Sequence, residues 1–101
     1  MQFLLVAHDG TDDGALGRRL ASRAEHLALG DAMVAEGTML YGNAILDDAG
    51  RMVGSMIVLE LPDRAAVEAW LAREPYVRGG VWERITISAC RVGPSFERRH
   101  R

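Results

Sequence analysis

The side chains able to move a proton near neutral pH are three histidines, His8, His26 and His100, since imidazole has an ordinary pKa near ~6.5. His26 is the best placed. It lies in a helical stretch, three residues after Arg23 and seven after Arg19, so the three share roughly one stripe. That stripe borders the apolar stripe of the same helix, where an imidazole is half desolvated and neighbouring guanidiniums can hold an anion. On spacing alone, an ordinary boundary histidine comes first and a general acid/base second. His8 closes a strand beside Asp9 and Gly10; it reads as a loop histidine bonded to local backbone, or as a side chain lining a pocket at the sheet end. His100 sits in a charged tail and is set aside. Glu74-Pro75-Tyr76 places a carboxylate beside a residue of fixed φ, which gives Glu74 a defined direction, although locally it reads as a helix stop with a solvated side chain.

Other chemistries lack their residues. No H-x-x-x-H spacing occurs, and one cysteine excludes both an internal disulfide and a cysteine-based zinc cluster, so no metal is expected. None of the serines sits in a G-x-S-x-G turn. Gly14-x-x-Gly17 lacks the rest of a dinucleotide fingerprint. Cys90 falls in a strand with only Arg91 as a basic neighbour and reads as inert. No cofactor is implied.

These residues must be positioned by one small domain. The chain has 101 residues, 49% of them apolar, which gives a single core that buries roughly 60–70% of the unfolded surface. All twelve basic residues are arginine; against fourteen acidic ones the net charge is −2, which argues against a general nucleic-acid binder. No apolar run approaches the ~18 residues of a membrane span, and residues 2–7 are too short for a signal-peptide core. The expectation is a soluble cytoplasmic domain over residues 1–93 with a C-terminal tail over 94–101.

Residues 2–8 read as a strand. Residues 15–36 read as a helix, with Asp12 or Asp13 as N-cap, Gly37 as a left-handed stop, and Leu16, Leu20, Ala24, Leu27 and Val34 as its apolar, core-facing stripe. Gly30 inside it costs about 1 kcal/mol relative to alanine, so a kink or close packing is expected there. Residues 38–46 and 52–60 form a hairpin around Asp47–Arg51. Asp63 caps a helix over 64–72 with Val67, Trp70 and Leu71 buried, and residues 82–92 alternate as a half-exposed strand. The order strand, helix, strand, strand, helix, strand predicts an α+β ferredoxin-like βαββαβ fold, a four-stranded antiparallel sheet with both helices on one face. The open face needs a cover, which a second copy supplies; a homodimer is the expectation.

Arg18-x-Leu20, Arg23-x-x-His26-Leu27, Glu36-Gly37, Leu40, Gly42, Ala69-Trp70, Glu74-Pro75-Tyr76-Val77 and Gly80-Val81 together resemble the YciI-like (YCII-related) family over residues 2–92. The resemblance implies a dimeric α/β barrel and a His–carboxylate pair in a pocket, carried by His26 and Glu74. The family's aspartate falls here on Glu74, one methylene longer, and its Gly-Pro on Gly42-Asn43. The extra methylene moves the carboxylate by ~1 Å, a shift able to cost about 100-fold in rate. By the same resemblance the function is a cofactor-independent lyase or isomerase, akin to the dehydrochlorinase of chlorinated hydroxyhydroquinones and, more distantly, to muconolactone isomerase. His26 and Glu74 are then catalytic, and Arg23, Tyr76 and His8 bind a small anionic or phenolic ligand. The alternatives are a non-catalytic ligand-binding or sensing module on the same fold, and a structural domain without a pocket.

Overall fold

The computed structural model describes residues 1–100, with side chains described through Glu97; Arg101 and the His100 side chain lie outside that description. The elements are β1 (Gln2–Asp9), α1 (Ala15–Glu36), β2 (Met39–Leu46), β3 (Met52–Glu60), α2 (Arg64–Arg73), α3 (Pro75–Arg78) and β4 (Trp82–Cys90), followed by a 3₁₀ helix at Pro94–His100. The four strands form one sheet in the order β2-β3-β1-β4, every neighbouring pair antiparallel. This is the expected ferredoxin-like topology, with the short α3 added after α2.

Strand alternation builds the core. Phe3, Leu5, Ala7 and Asp9 of β1 are buried while the residues between them are half-buried. On the same face lie Ser55, Ile57 and Leu59 of β3, and onto it pack Met33 of α1, Val67 and Trp70 of α2 and Tyr76 of α3. Leu4, Val6, Met56 and Val58 line the opposite face of the sheet, where Leu4 pairs across to Val58 and Val6 to Met56.

The helix ends follow from local chemistry. Asp63 accepts the backbone N–H of Ala66 at 2.9 Å and caps α2. Gly37 closes α1 at φ 80°, a conformation that strains any residue with a Cβ. The N-cap of α1 differs from expectation. Gly14 takes that position without a side-chain cap bond, while Asp12 pairs with Arg18 at 2.7 and 2.8 Å and accepts the Gly14 N–H at 3.3 Å. Arg18 also donates to the carbonyl of Gly80 and so ties the β1–α1 loop to the α3–β4 turn.

A second correction concerns which side of α1 faces inward. The buried positions are Ala15, Arg19 and Met33, while Leu20 is 55% and Val34 60% exposed, with Leu16 and Leu27 exposed beside them. The helix is turned so that Ala15, Arg19, His26 and Met33, not its leucine stripe, face inward. Arg19 can be buried there because Asp9 neutralises it: Nη1 reaches both Asp9 oxygens at 3.0 Å. Its Nη2 donates to Ser55 Oγ at 2.9 Å, and that hydroxyl also accepts the Trp82 indole N–H at 3.1 Å.

Candidate active site

Glu74 sits between two helices. It is the C-cap of α2 and the N-cap of α3, with extended backbone at φ −67° and ψ 121°, as a residue before proline requires. Its carboxylate turns inward and is 1% exposed, contrary to the solvated side chain expected locally. There Oε1 accepts the backbone N–H of Tyr76 at 3.1 Å and lies 2.5 Å from His26 Nδ1. The longer side chain therefore reaches the imidazole. Oε2 is buried without a hydrogen-bond partner, as is the Trp70 indole nitrogen.

Aromatic rings hold the imidazole in place. The His26 ring stacks on Tyr76 with centroids 3.8 Å apart and planes 11° from parallel, and meets Trp82 edge-on at 6.0 Å. The Arg19 guanidinium stands 4.7 Å from the Tyr76 ring centroid, a cation–π contact from within the buried ion pair. Burial pushes the Tyr76 phenol above its ordinary value of 10.0, against the opposing pull of Arg19 and Arg23. The phenol is therefore neutral at physiological pH and available as a hydrogen-bond donor.

Beside this stack a cleft of about 270 Å³ opens between α1 and the edge strand β2. His26, Arg23 and Tyr76 line it, with Leu27, Met39 and Ile57 as apolar wall. Arg23 is exposed and, among the described residues, in no ion pair, whereas Arg19 is committed to Asp9. Asp31 also lines the cleft, so its charge is mixed.

Of the five residues singled out from the sequence, the structure brings four together: His26, Glu74, Arg23 and Tyr76. His8 is not among them. Strand alternation puts it on the other side of the sheet from Ala7 and Asp9, and it lines a separate cleft of about 570 Å³ with Arg51 and Arg84 at the hairpin end. The sequence reading did not place Asp9, Ser55 and Trp82 beneath the site. Their positions on β1, β3 and β4 share no local spacing, and only the register of the sheet gathers them. Among the described residues no group of three or more His, Cys, Asp or Glu side chains comes together as a metal site would require.

The fold is that of a ferredoxin-like α+β protein, with a His–carboxylate pair beside a cleft between helix and edge strand. The YCII-related domain model matches residues 1–91, and the chain belongs to that family. Protein YciI of Escherichia coli is 30% identical over 93 residues, covering 86% of this chain and 93% of that protein. Among solved structures, 5-chloro-2-hydroxyhydroquinone dehydrochlorinase from Burkholderia phenoliruptrix, in complex with 2,5-dihydroxybenzoquinone, matches with a TM-score of 0.79 at 22% identity, over 96% of this chain and 100% of that one. A dimeric ferredoxin-like protein of unknown function from Jannaschia matches with a TM-score of 0.50 at 16% identity, over 90% and 98% of the two chains. At these identities the two structures speak to the fold alone. Among the described residues, no helix is long and apolar enough to cross a membrane.

Proposed function

We propose that the protein is an enzyme of the lyase or isomerase type, acting without a cofactor on a small anionic or phenolic ring compound. The observation that carries this reading is the His26–Glu74 pair: a nearly solvent-free carboxylate 2.5 Å from Nδ1 of an imidazole that lines a cleft. With Nδ1 donating to Glu74, the neutral imidazole is fixed in one tautomer, and Nε2 is the nitrogen left to take a proton. Once protonated, the imidazolium is stabilised by the adjacent carboxylate. The proton can then return to a different atom of the substrate, which is isomerisation, or assist a leaving group, which is elimination. Arg23 binds the substrate's carboxylate or phenolate, and Tyr76, stacked on the imidazole, lines the cleft beside it. The dehydrochlorination for which the structural neighbour is named is an elimination, one of these two outcomes. The protein works as a homodimer joined through the open sheet face carrying Leu4, Val6, Met56 and Val58, and light scattering checks this directly. It resides in the cytoplasm, with residues 1–93 as the functional unit and 94–101 as a tail.

The test is turnover across a panel of hydroxylated benzoates, halogenated hydroxyhydroquinones and unsaturated lactones. The expected result is one substrate whose conversion falls about 10²–10⁴-fold in His26→Ala, the usual contribution of a general acid/base. Conversion that His26→Ala leaves unchanged would assign the chemistry elsewhere.

A further inference from the structure

Two glycines line the cleft where neither backbone geometry nor crowding calls for glycine. Gly30 lies in the interior of α1 and Gly42 in the interior of β2, positions where glycine weakens a helix or a strand. Neither has a positive φ; that property belongs to Gly37, Gly50 and Gly80. Nor does close packing exclude a side chain. A Cβ on Gly30 would lie 3.6 Å from Met39 Sδ, and one on Gly42 would lie 3.7 Å from Ile57 Cγ1, both ordinary van der Waals distances. Gly54 is the opposite case, since its Cβ would lie 2.5 Å from the Ala7 carbonyl oxygen.

What the two missing side chains leave empty is the cleft. Met39 and Ile57 both line it, as do Gly30 and Gly42 themselves, so a methyl group at either position would enter that space. One glycine is on the helix wall and the other on the strand wall. A glycine inside a regular element often marks the place where a ligand approaches the backbone closely. The space is also small. At about 270 Å³ it lies below the range typical of drug-sized ligands.

We propose that Gly30 and Gly42 are specificity-determining residues: two bare stretches of backbone leave a slot beside His26 that admits a flat ring bearing an anionic or phenolic group. This deepens, and rests on, the reading of the cleft as the site for a small ring compound. Gly17 provides the internal control. It lies in the same helix, is exposed, would have nothing within 4 Å of a Cβ placed on it, and does not line the cleft.

The experiment titrates 4-hydroxybenzoate into wild type, Gly17→Ala, Gly30→Ala and Gly42→Ala, following backbone amide shifts of residues 26–43 and the melting temperature of each variant. Both helix variants are expected to melt higher by about 4 °C or more, because alanine is the better helix former. Affinity of Gly30→Ala for 4-hydroxybenzoate is expected to fall about tenfold or more, with Gly17→Ala unchanged. Gly42→Ala is expected to lose affinity similarly, but Gly30→Ala decides the matter if the strand variant fails to fold. Wild-type affinity for 4-hydroxybenzoate in Gly30→Ala overturns the proposal while leaving the acid–base role of His26 standing. Failure of wild type to bind 4-hydroxybenzoate overturns the proposal together with the substrate class on which it rests.

Discussion

Two buried acid–base pairs lie within one aromatic cluster, and they are built differently. In the Asp9–Arg19 pair both carboxylate oxygens accept from Nη1, Nη2 goes to Ser55, and Ser55 is further held by Trp82. In the His26–Glu74 pair, Oε1 accepts both Nδ1 and the Tyr76 amide, Oε2 has no partner, and the imidazole reaches a cleft. Each pair leaves one buried atom without a partner, Arg19 Nε in the first and Glu74 Oε2 in the second. The difference is exposure: both side chains of the first pair are 3% exposed, whereas the imidazole of the second is 16% exposed beside a space large enough for a ligand. A buried ion pair is weak evidence for stability, and still weaker evidence for function, until its remaining atoms are accounted for. Here both pairs leave an atom unpaired, and the exposure of the imidazole to the cleft is what separates a fixture of the fold from a candidate for chemistry. The two are joined through Tyr76, which contacts Arg19 and His26 alike.

The contrast can be broken first at its inward side. Arg19→Ala leaves Asp9 buried and unpaired and is expected to destabilise the domain by about 3–5 kcal/mol, read from urea unfolding; a loss under about 1 kcal/mol would mean that the pair is no fixture. His26→Ala should do the reverse, removing about 10²–10⁴-fold of turnover while moving the urea midpoint much less than Arg19→Ala does.

Glu74→Gln sharpens the comparison. The amide still accepts the Tyr76 N–H but no longer supports a positive imidazole, and a rate loss of about 10- to 100-fold is expected. The ¹⁵N shifts of the ring should show Nδ1 protonated in neutral wild type and a mixture of tautomers in the variant; identical spectra would show that Glu74 does not set the tautomer.

Capping offers a smaller contrast between the two long helices. Asp63→Ala is expected to cost about 1 kcal/mol, whereas Gly14 at the start of α1 has no side-chain cap to lose.

The smallest effect belongs to the exposed pair that ties the β1–α1 loop to α1. Arg18 holds Asp12 down to about 2 from its ordinary 3.8. A depressed carboxylate stabilises the fold above its unfolded pKa and loses that contribution as pH falls through the folded value. The ¹³C carboxyl signal of Asp12 should therefore titrate with a midpoint near 2, with little change in melting temperature, since the carboxylate is open to solvent.

The ends of α1 were legible because Gly37 stops the helix and periodicity fills it; its orientation was not. Reading leucines as inward is sound only where charges stay outside. Arg19 reverses the rule because Asp9, ten residues away on another element, neutralises it. Register across the sheet decides such a pairing, and spacing along one helix does not reveal it. The His26–Glu74 pair shows the same divide. The residues that form it were visible through a family resemblance, whereas local reading of Glu-Pro-Tyr pointed to a solvated helix stop. His8 lies apart from the other four for a simpler reason: a period of two sends it to the other side of the sheet from Asp9.

Glu74 ends α2, starts α3 and faces the imidazole with one carboxylate. Inheritance should therefore treat the two members of the pair unequally. A descendant that abandoned the chemistry would still need an acceptor at position 74 to hold the turn between its helices, while position 26 would be released to any side chain that fills the space against Tyr76. In this lineage, loss of catalysis should be recorded at the histidine first, and a carboxylate at 74 alone is no sign of a working enzyme.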